Sequence, residues 1–275
     1  MHQNYRIRRH VTFPLWNGKP PLWNAEDTSD HPTIDGFLPD ATSPTPAVLI
    51  FPGGGYARRA EHEAEPVARR FIQFGIAAFV VSYRVAPYRD PVPLLDALRS
   101  LRVIRLRSGE LNVNPKSIGV MGFSAGGHVA GCAATMFDRE FDHTFDDLNR
   151  LSARPAFAIL CYPVVSFQKF PHTGSMVNLL GENPDPDKRK MLSVEAAVDA
   201  DTPPIFMWHT ADDQSVHVGN VIELSDALSQ NDVPFELHVF ARGRHGLGLG
   251  DGEVGVWPDL AARWLEYINV LACDR

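Results

Sequence analysis

The sequence predicts a layered α/β architecture: about eight strands in one mostly parallel sheet, helices on both faces and a small cap formed from loops. Three observations carry this expectation. Short β-type runs rich in Val, Ile, Phe and Ala alternate with longer stretches of helical periodicity. The inner runs are apolar nearly throughout, as strands covered on both faces must be. Finally, 275 residues with 44% hydrophobic and 21% charged side chains can bury one large core. Residues 1–275 are therefore read as a single domain.

Strands are expected near Arg6–Phe13, Thr33–Leu38, Ala47–Phe51, Ile76–Tyr83, Ile118–Phe123, Ala156–Tyr162, Ile205–His209 and Phe235–Phe240. The first two alternate in polarity, which suits an antiparallel edge with one wet face. Helices are expected at Glu61–Phe74, Leu94–Leu106, Ala125–Met136, Gly219–Gln230 and Leu260–Val270. The second places Leu94, Leu95, Leu98, Leu101 and Ile104 on one side. Its arginines Arg99, Arg102, Arg105 and Arg107 read as a solvated face. Pro44 and Pro46 bound a loop, and Asn112–Pro115 reads as a turn. Phe137–Arg154 and Phe167–Pro204 exceed simple connections, and long ordered loops of this kind shape or cover sites.

The formal net charge of −7 argues against nucleic acid as a partner. No apolar run approaches the roughly 20 residues of a membrane span, so no membrane partner is expected. Met1–Arg9 carries charge with no apolar stretch behind it, so no secretory signal is expected. The three cysteines, Cys132, Cys161 and Cys273, sit in apolar or helical surroundings and read as reduced, mostly buried thiols. No His, Cys or Asp cluster has ligand spacing, so neither a metal nor another cofactor is expected.

The chemistry concentrates in Gly122-Phe123-Ser124-Ala125-Gly126. An apolar run, Ile118–Met121, leads into it, and the small-residue helix opening Gly127-His128-Val129-Ala130 follows. This is Gly-x-Ser-x-Gly in a strand–turn–helix context. A Ser at the tip of so sharp a turn needs neighbours without bulk, because the adjoining backbones pass very close. The helix N-terminus directs free amides at any oxyanion formed beside Ser124. Ser124 is thus the candidate nucleophile, and His128 reads as a helix residue bonded locally.

A Ser hydroxyl requires a base, and the base an orienting carboxylate. Both follow downstream in the order acid, then His. Thr210-Ala211-Asp212-Asp213-Gln214-Ser215-Val216 succeeds a buried strand; Asp213, three residues before Val216, is the candidate acid, and Asp212 a more exposed turn-former. The chain has 11 histidines, but His245 alone sits in a Gly-rich turn, Gly243–Gly248, after the last strand. It is the candidate general base. Phe51-Pro52-Gly53-Gly54-Gly55-Tyr56 follows an inner strand and can fold so that amides converge on one point. The expected oxyanion donors are the amides of Gly54 or Gly55 together with Ala125. Tyr56, Tyr162, Met176 and Trp208 are candidates to line an acyl or glycosyl pocket.

With these residues in place, the chain resembles the α/β-hydrolase esterases of hormone-sensitive-lipase-like type, within them the bacterial acetyl esterase/acetylxylan esterase branch, some members of which also hydrolyse feruloyl esters. The resemblance runs through Phe13-Pro14-Leu15-Trp16, Pro52–Tyr56, Ser82-Tyr83-Arg84-Val85-Ala86-Pro87, Met121–His128, Ser175–Gly181, His209–Val216 and Gly243–Gly248. Pro52 stands where the wider superfamily places a His before its glycines. The resemblance implies an intracellular, cytoplasmic serine carboxylesterase whose partner is a small-molecule ester, an acetylated xylo-oligosaccharide or related sugar; a homo-oligomer is allowed. The runners-up are a broad-specificity or feruloyl esterase, a prolyl-peptidase-like amidase, and a non-catalytic binding protein of the same fold. The missing propeller counts against the amidase, and the intact Ser124, Asp213 and His245 count against the binding protein.

Overall fold

The computed structural model describes residues 5–24, 31–139, 141 and 147–271. Its strands are β1 Ile7–Pro14, β2 Thr33–Pro39, β3 Thr45–Phe51, β4 Ala77–Val81, β5 Val113–Phe123, β6 Ala158–Cys161, β7 Ile205–Thr210 and β8 Phe235–Phe240. Its α-helices are α1 Glu65–Ile72, α2 Val92–Leu106, α3 Ser108–Leu111, α4 Ala125–Thr135, α5 Thr173–Leu180, α6 Pro186–Met191, α7 Gly219–Gln230 and α8 Trp257–Tyr267. The eight strands form one sheet in the order β1-β2-β4-β3-β5-β6-β7-β8. Pairs β1–β2 and β2–β4 are antiparallel, and every other pair is parallel.

Alternation along the inner strands divides the core in two. Ala47, Leu49 and Phe51 of β3, with Ile118 and Val120 of β5, face a cluster completed by α2, α4 and α7. Val48 and Ile50, with Met121 and Phe123, face the opposite cluster, completed by α1 and α8. Both faces are therefore covered, which explains the near-continuous apolar reading of the inner strands.

Several boundaries differ from expectation for identifiable reasons. The helix expected over Glu61–Phe74 breaks at Ala64 (φ −100°, ψ −108°) into a 3-10 turn, Glu61–Glu63, and α1. Pro66 is tolerated in the first turn of α1, where its missing N–H is not needed. The turn expected over Asn112–Pro115 is compressed into Asn112, whose left-handed backbone (φ 53°) ends α3 and feeds straight into β5. The C-terminal helix starts three residues early, at Trp257, with Pro258 again in the first turn.

The arginines of α2 are not a solvated face. Arg99 is buried, with its guanidinium 4.7 Å from the Trp16 ring centroid and its Nε–H donating to the Leu15 carbonyl. Arg102 donates to the Leu151 carbonyl, and Arg105 to the carbonyls of Pro115, Ser152 and Arg154. Arg107 stacks 3.9 Å over Phe13 and pairs with Glu110. Long cationic side chains thus fasten the N-terminal arm and the segment around Leu151 to the helix through backbone carbonyls and aromatic rings.

A buried ion pair anchors the same arm. Arg84 and Asp96 are both fully buried and lie 2.8 Å apart, and Trp16 Nε1–H donates to the same carboxylate. Breaking such a pair by removing one partner typically costs about 3–5 kcal/mol, because the other charge is left uncompensated. Cys132 and Cys161 are free and buried; Cys273 lies outside the described residues.

Candidate active site

Ser124 sits between the end of β5 and the start of α4 with φ 53° and ψ −119°, a backbone conformation that L-residues rarely adopt. Such a conformation costs on the order of 1–3 kcal/mol and persists only where the surroundings impose it. Here packing imposes it. A Cβ placed on Gly122 would lie 2.0 Å from the Gly126 carbonyl oxygen, and one on Gly126 would lie 2.0 Å from that of Phe51. Strand β5, helix α4 and the end of β3 approach so closely that only hydrogen fits at both glycines. The Ser124 amide donates to Cys161, and its carbonyl accepts from Val164 and His128.

His245 Nε2 lies 2.8 Å from Ser124 Oγ, and His245 Nδ1 lies 2.6 Å from Asp213 Oδ2. A carboxylate only accepts, so Nδ1 carries the proton and Nε2 is left to accept from the Ser124 hydroxyl. Asp213 Oδ1 accepts from the amides of Ser215 and Val216 at 2.8 and 3.0 Å. Burial alone would push the Asp213 carboxyl up, but the bonds from His245 and the Val216 and Ser215 amides outweigh it and hold the group below its ordinary range. Asp212 is exposed and accepts from the Gly243 amide at 2.7 Å, tying the end of β7 to the start of the His245 loop.

The loop after β3 is held at nearly every residue. The Tyr83 hydroxyl donates to the Pro52 carbonyl, and the Gly53 amide donates to Glu63 Oε2 at 2.6 Å. Gly54 (φ 130°) offers its carbonyl to the amides of Ala57 and Arg58. Asn178 Nδ2 donates to the Gly55 carbonyl from helix α5, and the Tyr56 carbonyl accepts from Ala86. Among the described residues nothing accepts from the amides of Gly54 or Gly55. Ala125 opens α4, where an amide has no intrahelical acceptor.

The aromatic candidates for a pocket lining take other positions. Tyr56, Tyr162 and Trp208 are at most 1% exposed, so almost none of their surface is open to a substrate. Tyr162 (φ 37°) packs edge-on to His245, with ring centroids 5.1 Å apart, and Trp208 packs edge-on to Tyr162. Met176 is partly exposed on α5, against the larger core cluster. His128 has a local partner, Cys132 Sγ one turn on at 3.6 Å from Nδ1, but its shorter bonds reach further: Nδ1 accepts from the Tyr56 hydroxyl at 2.7 Å, and Nε2–H donates to the Leu192 carbonyl at 2.7 Å. Burial pushes His128 down to about 4, so it is neutral at physiological pH.

Two residues at this site escaped sequence reasoning, Glu63 and Asn178. Glu63 belongs to no recognisable motif and stands in a run read only as the start of a helix; Asn178 lies within Ser175–Gly181, a segment that carries the family resemblance, but nothing in that segment marks it for a role. A separate groove of about 1120 Å³ runs along the outer side of the same loop, past Pro52, Arg58, Arg59 and Arg69, but Ser124, Asp213 and His245 do not line it.

Comparison with known proteins fits this geometry. A family model described as BD-FAE matches residues 34–228. The chain is 34% identical over 220 residues to an acetylxylan esterase of Xylanibacter ruminicola, covering 78% of this chain and 43% of that protein. It is 33% identical over 263 residues to endo-1,4-beta-xylanase B of Butyrivibrio fibrisolvens, covering 91% and 41%. The chain therefore spans less than half the length of these two relatives. A crystal structure of an acetyl ester-xyloside bifunctional hydrolase from Caldicellulosiruptor lactoaceticus superposes with a TM-score of 0.92 at 45% identity, covering 95% of this chain and 97% of that one. With its eight-stranded sheet and a family match over most of its length, this chain belongs to the BD-FAE family of α/β-hydrolase esterases.

Proposed function

We propose that the protein is a serine carboxylesterase that removes acetyl groups from acetylated xylo-oligosaccharides or related sugars, acting as one domain on a small-molecule substrate. The observation that carries the mechanism is the line Ser124 Oγ, His245 Nε2, His245 Nδ1, Asp213 Oδ2, with hydrogen-bond separations of 2.8 and 2.6 Å at its two ends. The sugar ester is favoured by likeness to an acetylxylan esterase and an acetyl ester-xyloside hydrolase.

In this reading Ser124 Oγ attacks the ester carbonyl while His245 Nε2 takes the hydroxyl proton. Asp213 holds the imidazole in the required tautomer and stabilises the imidazolium. The oxyanion is received by the amides of Ala125 and of Gly54 or Gly55. His245 returns the proton to the departing sugar alkoxide, leaving an acetyl-Ser124 ester. Water, deprotonated by the same His245, then releases acetate and regenerates the Ser124 hydroxyl.

The test is hydrolysis of p-nitrophenyl esters from C2 to C12, alongside acetate release from acetylated xylo-oligosaccharide, for wild type and Ser124→Ala. Fast C2 turnover and acetate release, both lost in the variant, are expected. Turnover unaffected by Ser124→Ala would remove the triad reading; comparable rates on a p-nitroanilide would favour the amidase.

A further inference from the structure

We propose that Glu63 is a positioning residue that sets the oxyanion loop and the His245 loop relative to each other; the inference rests on the serine esterase reading above. Glu63 is 2% exposed, and both carboxylate oxygens are taken. Oε2 accepts from the Gly53 amide at 2.6 Å, and Oε1 accepts from the Tyr162 hydroxyl at 2.6 Å. The Tyr162 oxygen in turn accepts from the Gly248 amide at 2.8 Å. One carboxylate thus joins the loop carrying Gly54 and Gly55 to the loop carrying His245, through a residue whose ring packs against the His245 imidazole.

The neighbouring residue adds a second contact from the same 3-10 turn to the His245 loop. His62 Nε2 lies 3.0 Å from the Gly246 carbonyl oxygen and 3.6 Å from Glu63 Oε1. A Cβ on Gly53 would lie 2.8 Å from Glu63 Oε2 and 3.0 Å from the Ser124 Cβ, so the contact is made directly beside the nucleophile.

The chemistry requires a carboxylate. Two donors converge on one buried side chain, and only an ionised acid accepts at both of its oxygens. Glutamine has the same shape but presents an NH₂ to one of the two donors, so it opposes one bond while keeping the other. Bonds of this charge-assisted kind are about twice as strong as neutral ones. Tyr162 stays protonated, since burial, with Glu63 beside it, raises its hydroxyl well above the usual range, so it remains the donor to Oε1.

A residue that sets transition-state donors against the general base acts on turnover and leaves ground-state binding nearly untouched. The experiment is steady-state kinetics of p-nitrophenyl acetate hydrolysis by Glu63→Gln, Tyr162→Phe, the double variant and Ser124→Ala, with thermal melting of each. For Glu63→Gln, kcat is expected to fall about 10²-fold, the scale of one lost oxyanion donor, with KM changed by less than about twofold. Tyr162→Phe is expected to lose about tenfold in kcat, also at constant KM, and the two losses should not multiply because both cut one chain of bonds. A Glu63→Gln kcat within about threefold of wild type, or losses that multiply with a rise in KM, would overturn the inference. Should Glu63→Gln fail to fold, Tyr162→Phe decides: lost kcat at constant KM supports the brace, and unchanged kcat overturns it. Ser124→Ala separates the two levels. Retained turnover there removes the serine reading itself, whereas an inactive Ser124→Ala beside a fully active Glu63→Gln removes only the brace.

Discussion

Ser124 and His245, the proposed nucleophile and general base, are held by different physics. Ser124 lies at the centre of the sheet, where three backbones meet so closely that Gly122 and Gly126 admit no Cβ. His245 lies on a loop after β8, the sheet edge, whose side chains are all half-buried or exposed. Around it a Cβ on Gly246 would meet open space, and one on Gly243 would meet the side chains of Thr210 and Leu247 but no backbone. Its position comes from hydrogen bonds: Asp213 on Nδ1, Asp212 on the Gly243 amide, Tyr162 on the Gly248 amide. Close packing is unforgiving, and hydrogen bonds can be removed one at a time. The stability of the elbow and the activity of the His245 loop should therefore respond to substitution separately.

The sharpest way to break that contrast is at Asp213. Asp213→Asn is expected to lower kcat on p-nitrophenyl acetate by about 10⁴, by favouring the wrong imidazole tautomer; the melting temperature should move little, since Asn keeps the acceptor for the Ser215 and Val216 amides. Gly126→Ala should do the reverse. It adds one methyl against the Phe51 carbonyl and is expected to cost about 3 kcal/mol of stability in urea unfolding, the top of the usual range for overpacking. A Gly126→Ala variant as stable as wild type would refute the packing account of the elbow.

A third outcome concerns His128, the link between the elbow helix and Tyr56. Its folded-state value of about 4 lies below the unfolded 6.5, so the unfolded chain takes up a proton that the native one refuses. Stability should fall as pH drops from 6.5 to about 4, by on the order of 3 kcal/mol from this residue, and then level off. His209 and His172 are also pushed down by burial, so His128→Asn should flatten this slope without abolishing it. Urea titrations at pH 7 and pH 4.5 on both proteins would reveal an unchanged slope if the assignment is wrong. The smallest effect is expected at Asp212→Ala, which removes one exposed clasp on Gly243 and should reduce kcat by less than about tenfold, the scale of one ordinary intramolecular hydrogen bond.

How much was legible in the chain follows the same division. The strands around Ala47–Phe51, Ile118–Phe123 and Ile205–His209 are buried on both faces, and uninterrupted apolar composition marks that environment. Ser124 and His245 could be chosen because chain order and flanking glycines restrict them, and Asp213 by its place after a buried strand three residues before Val216; in the structure His245 stands within hydrogen-bonding reach of both Ser124 and Asp213. Glu63 could not. It lies 10 residues from Gly53 and 99 from Tyr162, and its role exists only where those segments meet. Arg99 misled for a related reason: a guanidinium on a helix reads as solvent-facing unless the aromatic and carbonyl it will meet, Trp16 and Leu15, are known to fold over it. Tyr56, Tyr162 and Trp208 look like pocket walls in sequence because aromatic residues serve both roles; burial separates them.

The most direct measurement is peptide mapping by mass spectrometry after rapid acid quench of the protein with p-nitrophenyl acetate. One acetyl group on the peptide carrying Gly122–Gly126, localised to Ser124 and absent from Ser124→Ala, is the expected result. Acetyl transfer to a different residue, or full turnover with no acetyl-Ser124 formed, would contradict the acyl-enzyme mechanism.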